Sequence, residues 1–274
     1  MQRTPLDKPR IPTPPDAPPL AVWSRPRFAA RYALWHLGLS TAVALLSAAF
    51  VFGLLYPFPY RAMLGVGSIF LLVLAVDVVC GPLLTLVLAS PKKSRRERWL
   101  DFGLVGVIQV LALVYGLHSV WLGRPAVLAF EVDRLVVATA SEVEPALLAK
   151  APEGLRRLPW WGVLKVGTRK PASSQEMLES VERGLAGISL AQQPDWWAPW
   201  GQAHEGMERR ARPVAELLAR RPADAATLQE AVRASGLSVD GLRYLPLTSS
   251  KTLDWVVLLD EKLNPVGYAP VDGF

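Results

Sequence analysis

The sequence predicts a membrane protein with three transmembrane α-helices and a C-terminal α+β extracytoplasmic domain. The 274-residue chain is 51% hydrophobic, yet 20% of its residues are charged. Its first half holds three long segments that carry one charge at most. About 20 apolar residues cross roughly 30 Å of hydrocarbon, so each segment is long enough for a span. The remaining residues are domain-sized and polar enough to lie in water.

The N-terminal segment precedes the first predicted span. Residues 1–20 contain seven prolines among charged residues. This composition favours extended, solvated backbone over a packed element. We therefore predict a Pro-rich, disordered tail over residues 1–27.

The three spans follow from the positions of the charges. Residues 32–60 carry none, residues 62–91 carry only Asp77, and residues 102–123 carry none. A cleaved signal peptide is disfavoured because its apolar region runs only about 7–15 residues. The predicted three-helix domain covers residues 28–123, with spans at about these positions: 33–56, 64–90 and 102–123.

The loops predict the orientation. Six basic residues precede the first span and five lie in residues 91–98, whereas the loop between the first two spans offers only Arg61. Loops rich in Lys and Arg stay in the cytoplasm. The N-terminus is therefore predicted to be cytoplasmic and residues 124–274 periplasmic, at a bacterial inner membrane.

Charge also bears on nucleic acid as a partner. The formal net charge is +6, but residues 1–123 contribute +7 and residues 124–274 contribute −1. The basic residues therefore flank the spans and set topology, so no nucleic-acid partner is expected.

The pattern of the outer region, residues 124–274, predicts strands at both ends and helices between them. Residues 127–132 and 135–138 predict a hairpin, and residues 254–260 and 266–269 predict later strands. Helices are predicted after three start signals: Ser173 with Glu176, Pro213, and Asp224. This pattern predicts an α+β domain.

Asp77 is the candidate site within the membrane. A carboxylate in hydrocarbon costs several kcal/mol unless it is protonated, hydrated or paired. Its candidate partners within the chain are Gln109 and His36, and a polar group of another membrane protein is the alternative. The pair Gly81 and Pro82 would kink the helix and open such a contact.

The outer domain offers little chemistry. Its one histidine, His204, has no nucleophile near it in sequence, and the domain has no cysteine. We predict no catalytic residue, no metal site and no cofactor. Trp196, Trp197 and Trp200 form a cluster that is buried in the domain, forms a periplasmic contact surface for a partner, or rests on the lipid headgroups, and Trp160 and Trp161 present the same choice.

Four segments of the chain are specific as a set: residues 76–87, the basic Ser-Pro-Lys-Lys-Ser loop at 90–94, Arg124-Pro followed by residues 130–134, and the ending at residues 254–274. This set resembles the type IV pilin accessory proteins of the TfpX/TfpZ family. The likeness runs from about Phe28 to the last residue and leaves out the Pro-rich tail.

The resemblance implies an inner-membrane protein without enzymatic activity that supports the stability or assembly of a type IV major pilin. Its expected contacts are the pilin and the lipid bilayer. It supplies no established binding residues, so the Asp77 site rests on physical argument alone. Two alternatives remain open: a membrane-anchored periplasmic ligand sensor, and a membrane enzyme that uses Asp77 or His36. The sequence does not define the oligomeric state.

Overall fold

The computed structural model describes residues 24–274, so most of the predicted tail over residues 1–27 lies outside the described part of the chain. Three helical stretches are long and apolar enough to cross a membrane: Pro26–Leu55, Val66–Leu88 and Arg95–Leu122. This finding confirms the three predicted membrane-length helices. The first helix begins at Ser24, so residues 24–27 are helical and not part of a tail.

The helical part, within residues 24–123, is built from long helices and one short one. Their bounds are α1 (Ser24–Phe50), α2 (Tyr60–Met63), α3 (Val66–Ala75), α4 (Gly81–Leu88) and α5 (Arg95–Leu122). Two π turns extend or join them, at Val51–Leu55 and Val76–Cys80. The second π turn lies directly before Pro82, whose missing N–H interrupts the hydrogen-bond ladder of the helix.

The basic loop that the sequence assigns to the cytoplasm ends in a capped helix. The Ser94 hydroxyl accepts a hydrogen bond from the Glu97 backbone N–H at 3.2 Å, and the Glu97 carboxylate accepts one from the Ser94 N–H at 2.7 Å. This reciprocal pair satisfies two N–H groups at the start of α5. The cap fixes the start of α5, so Arg95, Arg96 and Arg98 lie in the first turn of this helix.

The C-terminal part is a mixed sheet of eight strands. Their bounds are β1 (Pro125–Glu131), β2 (Arg134–Thr139), β3 (Leu164–Thr168), β4 (Trp197–Pro199), β5 (Arg212–Pro213), β6 (Arg243–Ser249), β7 (Trp255–Leu259) and β8 (Pro265–Ala269). The strand order is β4-β3-β1-β2-β6-β7-β8, with β5 also paired to β6. β1 pairs with β3, and β2 with β6, in parallel, and the other pairs are antiparallel.

Four helices accompany the sheet: α6 (Ser174–Leu185), α7 (His204–Arg210), α8 (Val214–Arg220) and α9 (Ala225–Ser235). α8 and α9 cover one face of the sheet, where Leu217 and Leu228 pack on Tyr244 and Leu258. Gly236 ends α9 in the left-handed conformation, which glycine adopts without a steric penalty. The arrangement confirms a domain that mixes helices with a sheet.

The opposite face of the sheet packs against the ends of the membrane-length helices. Side chains of alternate strand positions share one hydrophobic core with residues of α1 to α3. The sheet contributes, among others, Leu128, Phe130, Leu135, Val137, Leu245 and Leu247, and the helical part contributes Leu55, Tyr56, Tyr60, Met63, Val66 and Phe70. The domain is therefore seated directly on the connection between the first two spans.

Candidate intramembrane partner site

Asp77 is the central residue of the second membrane-length stretch, Val66–Leu88. It is buried, with 9% of its surface exposed. Its Oδ2 atom is shielded from solvent and has no hydrogen-bond partner among the residues that the structure describes. A buried polar atom without a partner costs about 1–3 kcal/mol, so this carboxyl group has a free bonding position at mid-span.

Gln109 of α5 reaches Asp77, but through the backbone. The Gln109 Nε2 atom donates to the Asp77 carbonyl oxygen at 2.8 Å. Within a π turn this carbonyl would pair with the N–H five residues on, and that position is Pro82, which has none. The Gln109 amide therefore occupies the carbonyl that the proline leaves open, and the expected side-chain pairing of Asp77 with Gln109 is not formed.

His36 of α1 completes a chain of hydrogen bonds across the bundle. Its Nε2 atom lies 2.6 Å from Gln109 Oε1, and its Nδ1 atom lies 2.5 Å from Thr85 Oγ1. Because the Gln109 amide nitrogen is used at Asp77, its oxygen faces His36 and needs a donor. His36 Nε2 is therefore the donor to Gln109 Oε1, and His36 Nδ1 pairs with the Thr85 hydroxyl. None of these hydrogen bonds involves the Asp77 carboxyl group.

Gly81 makes room for this chain. A Cβ atom at position 81 would overlap the side-chain amide of Gln109. Gly81 is buried and stands one residue before Pro82. The two residues act together, since Pro82 opens the Asp77 carbonyl and Gly81 lets the amide of α5 approach it.

Asp77 lines a cavity of about 140 Å³ between the three long helices. His36, Ser40 and Gln109 also line this cavity, and the rest of its wall is mostly apolar. A larger groove of about 810 Å³ runs along α1 and α5 beside it, and the two share His36, Leu39 and Gly106. Leu39 and Val110 at their walls are 66% and 59% exposed, so the site opens sideways, where lipid or another helix would lie.

The tryptophans of the outer domain divide into two groups. Trp196 and Trp197 are buried, and the Trp197 indole N–H donates to the Ala191 carbonyl oxygen at 3.1 Å. Trp200 is half-buried against the core shared with the helices. These three rings therefore pack within the domain and do not form an exposed contact surface. Trp160 and Trp161 remain exposed.

The outer domain contains one half-buried carboxylate that sequence reasoning did not single out. Glu131, at the end of β1, accepts a hydrogen bond from the Ala191 N–H at 2.5 Å. Burial raises the pKa of this carboxyl group, while the bond from Ala191 opposes the shift. His204 is half-exposed, and its Nδ1 lies 3.2 Å from the Gly201 carbonyl oxygen. Within residues 24–274, no three His, Cys, Asp or Glu side chains are placed to hold a metal ion.

The fold and this site define a class: three membrane-length helices with a buried polar cluster, carrying a mixed-sheet domain on their ends. The profile of the fimbrial assembly protein FimB family matches residues 24–65. Two fimbrial assembly proteins of Dichelobacter nodosus, of serogroups I and E1, are 34% and 33% identical to this chain over 254 residues. Each comparison covers 90% of this chain and 96% of the relative.

A shorter fimbrial assembly protein of the same organism, of serogroups C1 and C2, is 38% identical over 126 residues. That comparison covers 46% of this chain and 94% of the relative. The chain belongs to the fimbrial assembly protein FimB family, which confirms the resemblance to pilin accessory proteins. No solved structure matches it.

Proposed function

We propose that this protein is an inner-membrane accessory protein of type IV pilus assembly that binds the major pilin and supports its stability or polymerisation. Membership of the fimbrial assembly protein family indicates that the protein takes part in the assembly of type IV fimbriae. The observation that carries the binding step is the Asp77 carboxyl group, whose Oδ2 has no hydrogen-bond partner among the described residues and which belongs to a residue that lines a sideways-opening cavity at mid-span. The occupant of this site is the apolar helix by which a pilin is held in the membrane.

The chemistry of the site limits what the pilin helix would present. Asp77 is the only acidic residue of the second span, and that span contains no Lys or Arg. Its partner group is a hydrogen-bond donor at mid-bilayer depth, such as a hydroxyl, an amide or a protonated carboxyl group. The N-terminal amine of a pilin would lie nearer the cytoplasmic face, so the central position of Asp77 favours a group further along the helix.

The proposed orientation places the N-terminus in the cytoplasm and the sheet domain in the periplasm. Basic residues in and before the first turns of α1, and on both sides of the start of α5, support it, because such residues are retained in the cytoplasm. In that orientation the domain stands where the soluble head of a membrane-held pilin would be. Contact of the domain with that head is part of the proposal.

We also propose that the protein acts without enzymatic activity. The polar residues of the bundle support this, since His36, Gln109 and Thr85 are already bonded to one another. They therefore hold α1, α4 and α5 together at the site.

A strain carrying Asp77→Ala tests the proposal. We expect reduced pilin levels and few surface pili, because the pilin helix loses its polar contact in the bilayer. The matched control is Val76→Ala, a lipid-exposed neighbour on the same π turn, which should leave both unchanged. Immunoblots must show that both variants reach the membrane at wild-type amounts. Wild-type pilin levels and piliation in the Asp77→Ala strain would remove this role.

A further inference from the structure

Two tryptophans lie on the surface of the outer domain. Trp160 and Trp161 are 71% and 63% exposed, in a loop of residues 155–162 that we call the tryptophan loop. Trp196, Trp197 and Trp255 are buried in the same domain. Two neighbouring indoles left outside a packed domain need a separate explanation, because tryptophan is a poor residue to expose to water.

The tryptophan loop is attached to the end of α5. The Trp160 ring lies 5.6 Å from the Trp121 ring of α5. Arg124 joins the two segments: its Nη1 donates to the Trp121 carbonyl oxygen at 2.9 Å, and its Nη2 donates to the Pro159 carbonyl oxygen at 2.8 Å. The Arg124 guanidinium also stacks 4.0 Å from the Trp121 ring. The loop is therefore held at the level of Trp121.

The depth of Trp121 follows from the length of α5. Its uncharged stretch starts at Phe102, after Asp101, and the next charge is Arg124. At 1.5 Å per residue, the residues from Phe102 to Trp121 span about 30 Å, the thickness of the hydrocarbon core. Trp121 then lies at the outer boundary of the hydrocarbon. This step rests on the proposed crossing of the membrane by α5.

We propose that the tryptophan loop is a lipid-binding element that inserts into the headgroup region of the outer leaflet. The indoles of Trp160 and Trp161 would sit at the interface, where tryptophan is enriched in membrane proteins. Two exposed guanidinium groups precede them, at Arg156 and Arg157, and these would bind lipid phosphates. Arg156 Nε also donates to the Ala151 carbonyl oxygen at 3.0 Å, which orders the loop for this contact.

This element gives the domain a second attachment to the bilayer, besides its seat on the ends of α1 to α3. A domain held at two points keeps a fixed tilt on the membrane. Its opposite face, covered by α8 and α9, is then turned away from the bilayer.

Spin-label depth measurements test the proposal on the full chain in phosphatidylethanolamine and phosphatidylglycerol vesicles. The single native cysteine, Cys80, is replaced by alanine, and one label position is introduced at a time. The positions are Trp161→Cys in the loop, Leu111→Cys on the exposed side of α5, and Gln229→Cys on the exposed side of α9. The accessibility of each label to oxygen is compared with its accessibility to a water-soluble nickel chelate, and the ratio of the two reports the depth of the label.

We expect position 111 to lie deep in the hydrocarbon, position 161 at the interface and position 229 in water. If position 111 is deep and position 161 is as accessible to nickel as position 229, the lipid-binding role is wrong while the crossing by α5 stands. If position 111 is itself in water, the proposed membrane placement fails and the lipid-binding role fails with it.

Discussion

At the scale of single residues, the bundle is organised by the consequences of one proline. Pro82 lacks the N–H that would pair with the Asp77 carbonyl, and the amide of Gln109 supplies the missing donor from another helix. The amide oxygen then orients His36, which in turn reaches Thr85. Three separate helical segments are joined by this chain, and only the Asp77 carboxyl group is left with a free position.

Gly81→Ala tests the role of the glycine in this chain. Helix propensity alone predicts that the substitution stabilises by about 1 kcal/mol. We expect it instead to destabilise the bundle by about 2 kcal/mol, because the new Cβ displaces the Gln109 amide and leaves the Asp77 carbonyl and His36 without their partner. The measurement is reversible unfolding in mixed detergent micelles.

The matched experiment repeats the substitution in a Gln109→Ala background. With the amide gone there is nothing to displace, so Gly81→Ala should become neutral or stabilising. An equal loss of stability in both backgrounds would mean that the cost arises elsewhere in the helix.

The sequence singles out Asp77, Gly81, Pro82 and Gln109 as one candidate contact, because a buried acid and a Gly-Pro step are rare in a span. It does not predict which atoms meet. Gln109 is one of two candidate partners within the chain for the Asp77 carboxyl group, and in the structure it instead donates to the Asp77 carbonyl oxygen. That difference depends on the π turn, whose extra residue has no periodic signature in so short a segment.

At the scale of elements, α6 shows where pattern reasoning reaches its limit. Its capping signal predicts the start of the helix, and the Ser173 hydroxyl does accept the Glu176 N–H at 3.1 Å. Its apolar residues share a face, as the 3.6-residue period indicates, but that face is exposed in the chain: Met177, Leu178, Val181 and Leu185. Periodicity identifies an amphipathic helix and does not say what covers it.

The N-terminus of α6 should respond to acid. Two bonds from Arg169, at 2.7 and 3.0 Å, and one from the Ala172 N–H lower the pKa of Glu176 from 4.5 to about 2. A carboxyl group whose pKa is lower in the folded state stabilises above its unfolded pKa, and that contribution is lost as pH falls from about 4.5 towards 2. We expect hydrogen exchange in α6 to increase across this range, after correction for the intrinsic exchange rate.

Two variants of α6 isolate the effect. Glu176→Gln should remove the pH dependence, since the titrating group is gone. Glu182→Gln, an exposed residue of the same helix, should preserve it. Retention of the acid response in Glu176→Gln would assign it to another group.

At the scale of the whole molecule, the sheet and the membrane-length helices share a core. Phe58, in the connection between the first two spans, packs 6.1 Å from Trp255 and 6.2 Å from Tyr268, measured between ring centroids. Tyr60 is buried beside it, and burial raises the pKa of its phenol group. The hydrophobic core of the outer region therefore includes residues from the connection between the first two membrane-length helices, far earlier in the chain.

The outer region alone, residues 124–274, should not fold to a stable monomer. Without the helical part, the inner sheet face exposes the apolar side chains of β1, β2, β6 and β7. We expect the isolated fragment to aggregate or to bind a hydrophobic dye strongly, while the full chain in detergent unfolds cooperatively. A monodisperse fragment with a cooperative thermal transition would show that the shared core is dispensable.

The three membrane-length helices and the first and last strands follow from local composition, so the sequence predicts them well. The order of the strands in the sheet does not follow from local composition. β2 pairs in parallel with β6, and the partner residues Leu135 and Leu247 are far apart in the chain. β3 and β4 are short, and Gly167 and Pro199 weaken their strand signal. Pairings of this kind depend on packing over the whole domain and leave no local pattern.

The binding of a pilin helix beside Asp77 is tested most directly by photo-crosslinking in living cells. A photoreactive residue is placed at Leu39 or Val110, which line the site and are exposed, or at Leu72, a lipid-exposed control on α3 that does not line it. We expect a covalent adduct with the major pilin from positions 39 and 110, weakened by Asp77→Ala, and none from position 72. Equal adducts at all three positions, or none at positions 39 and 110, would contradict the proposed site.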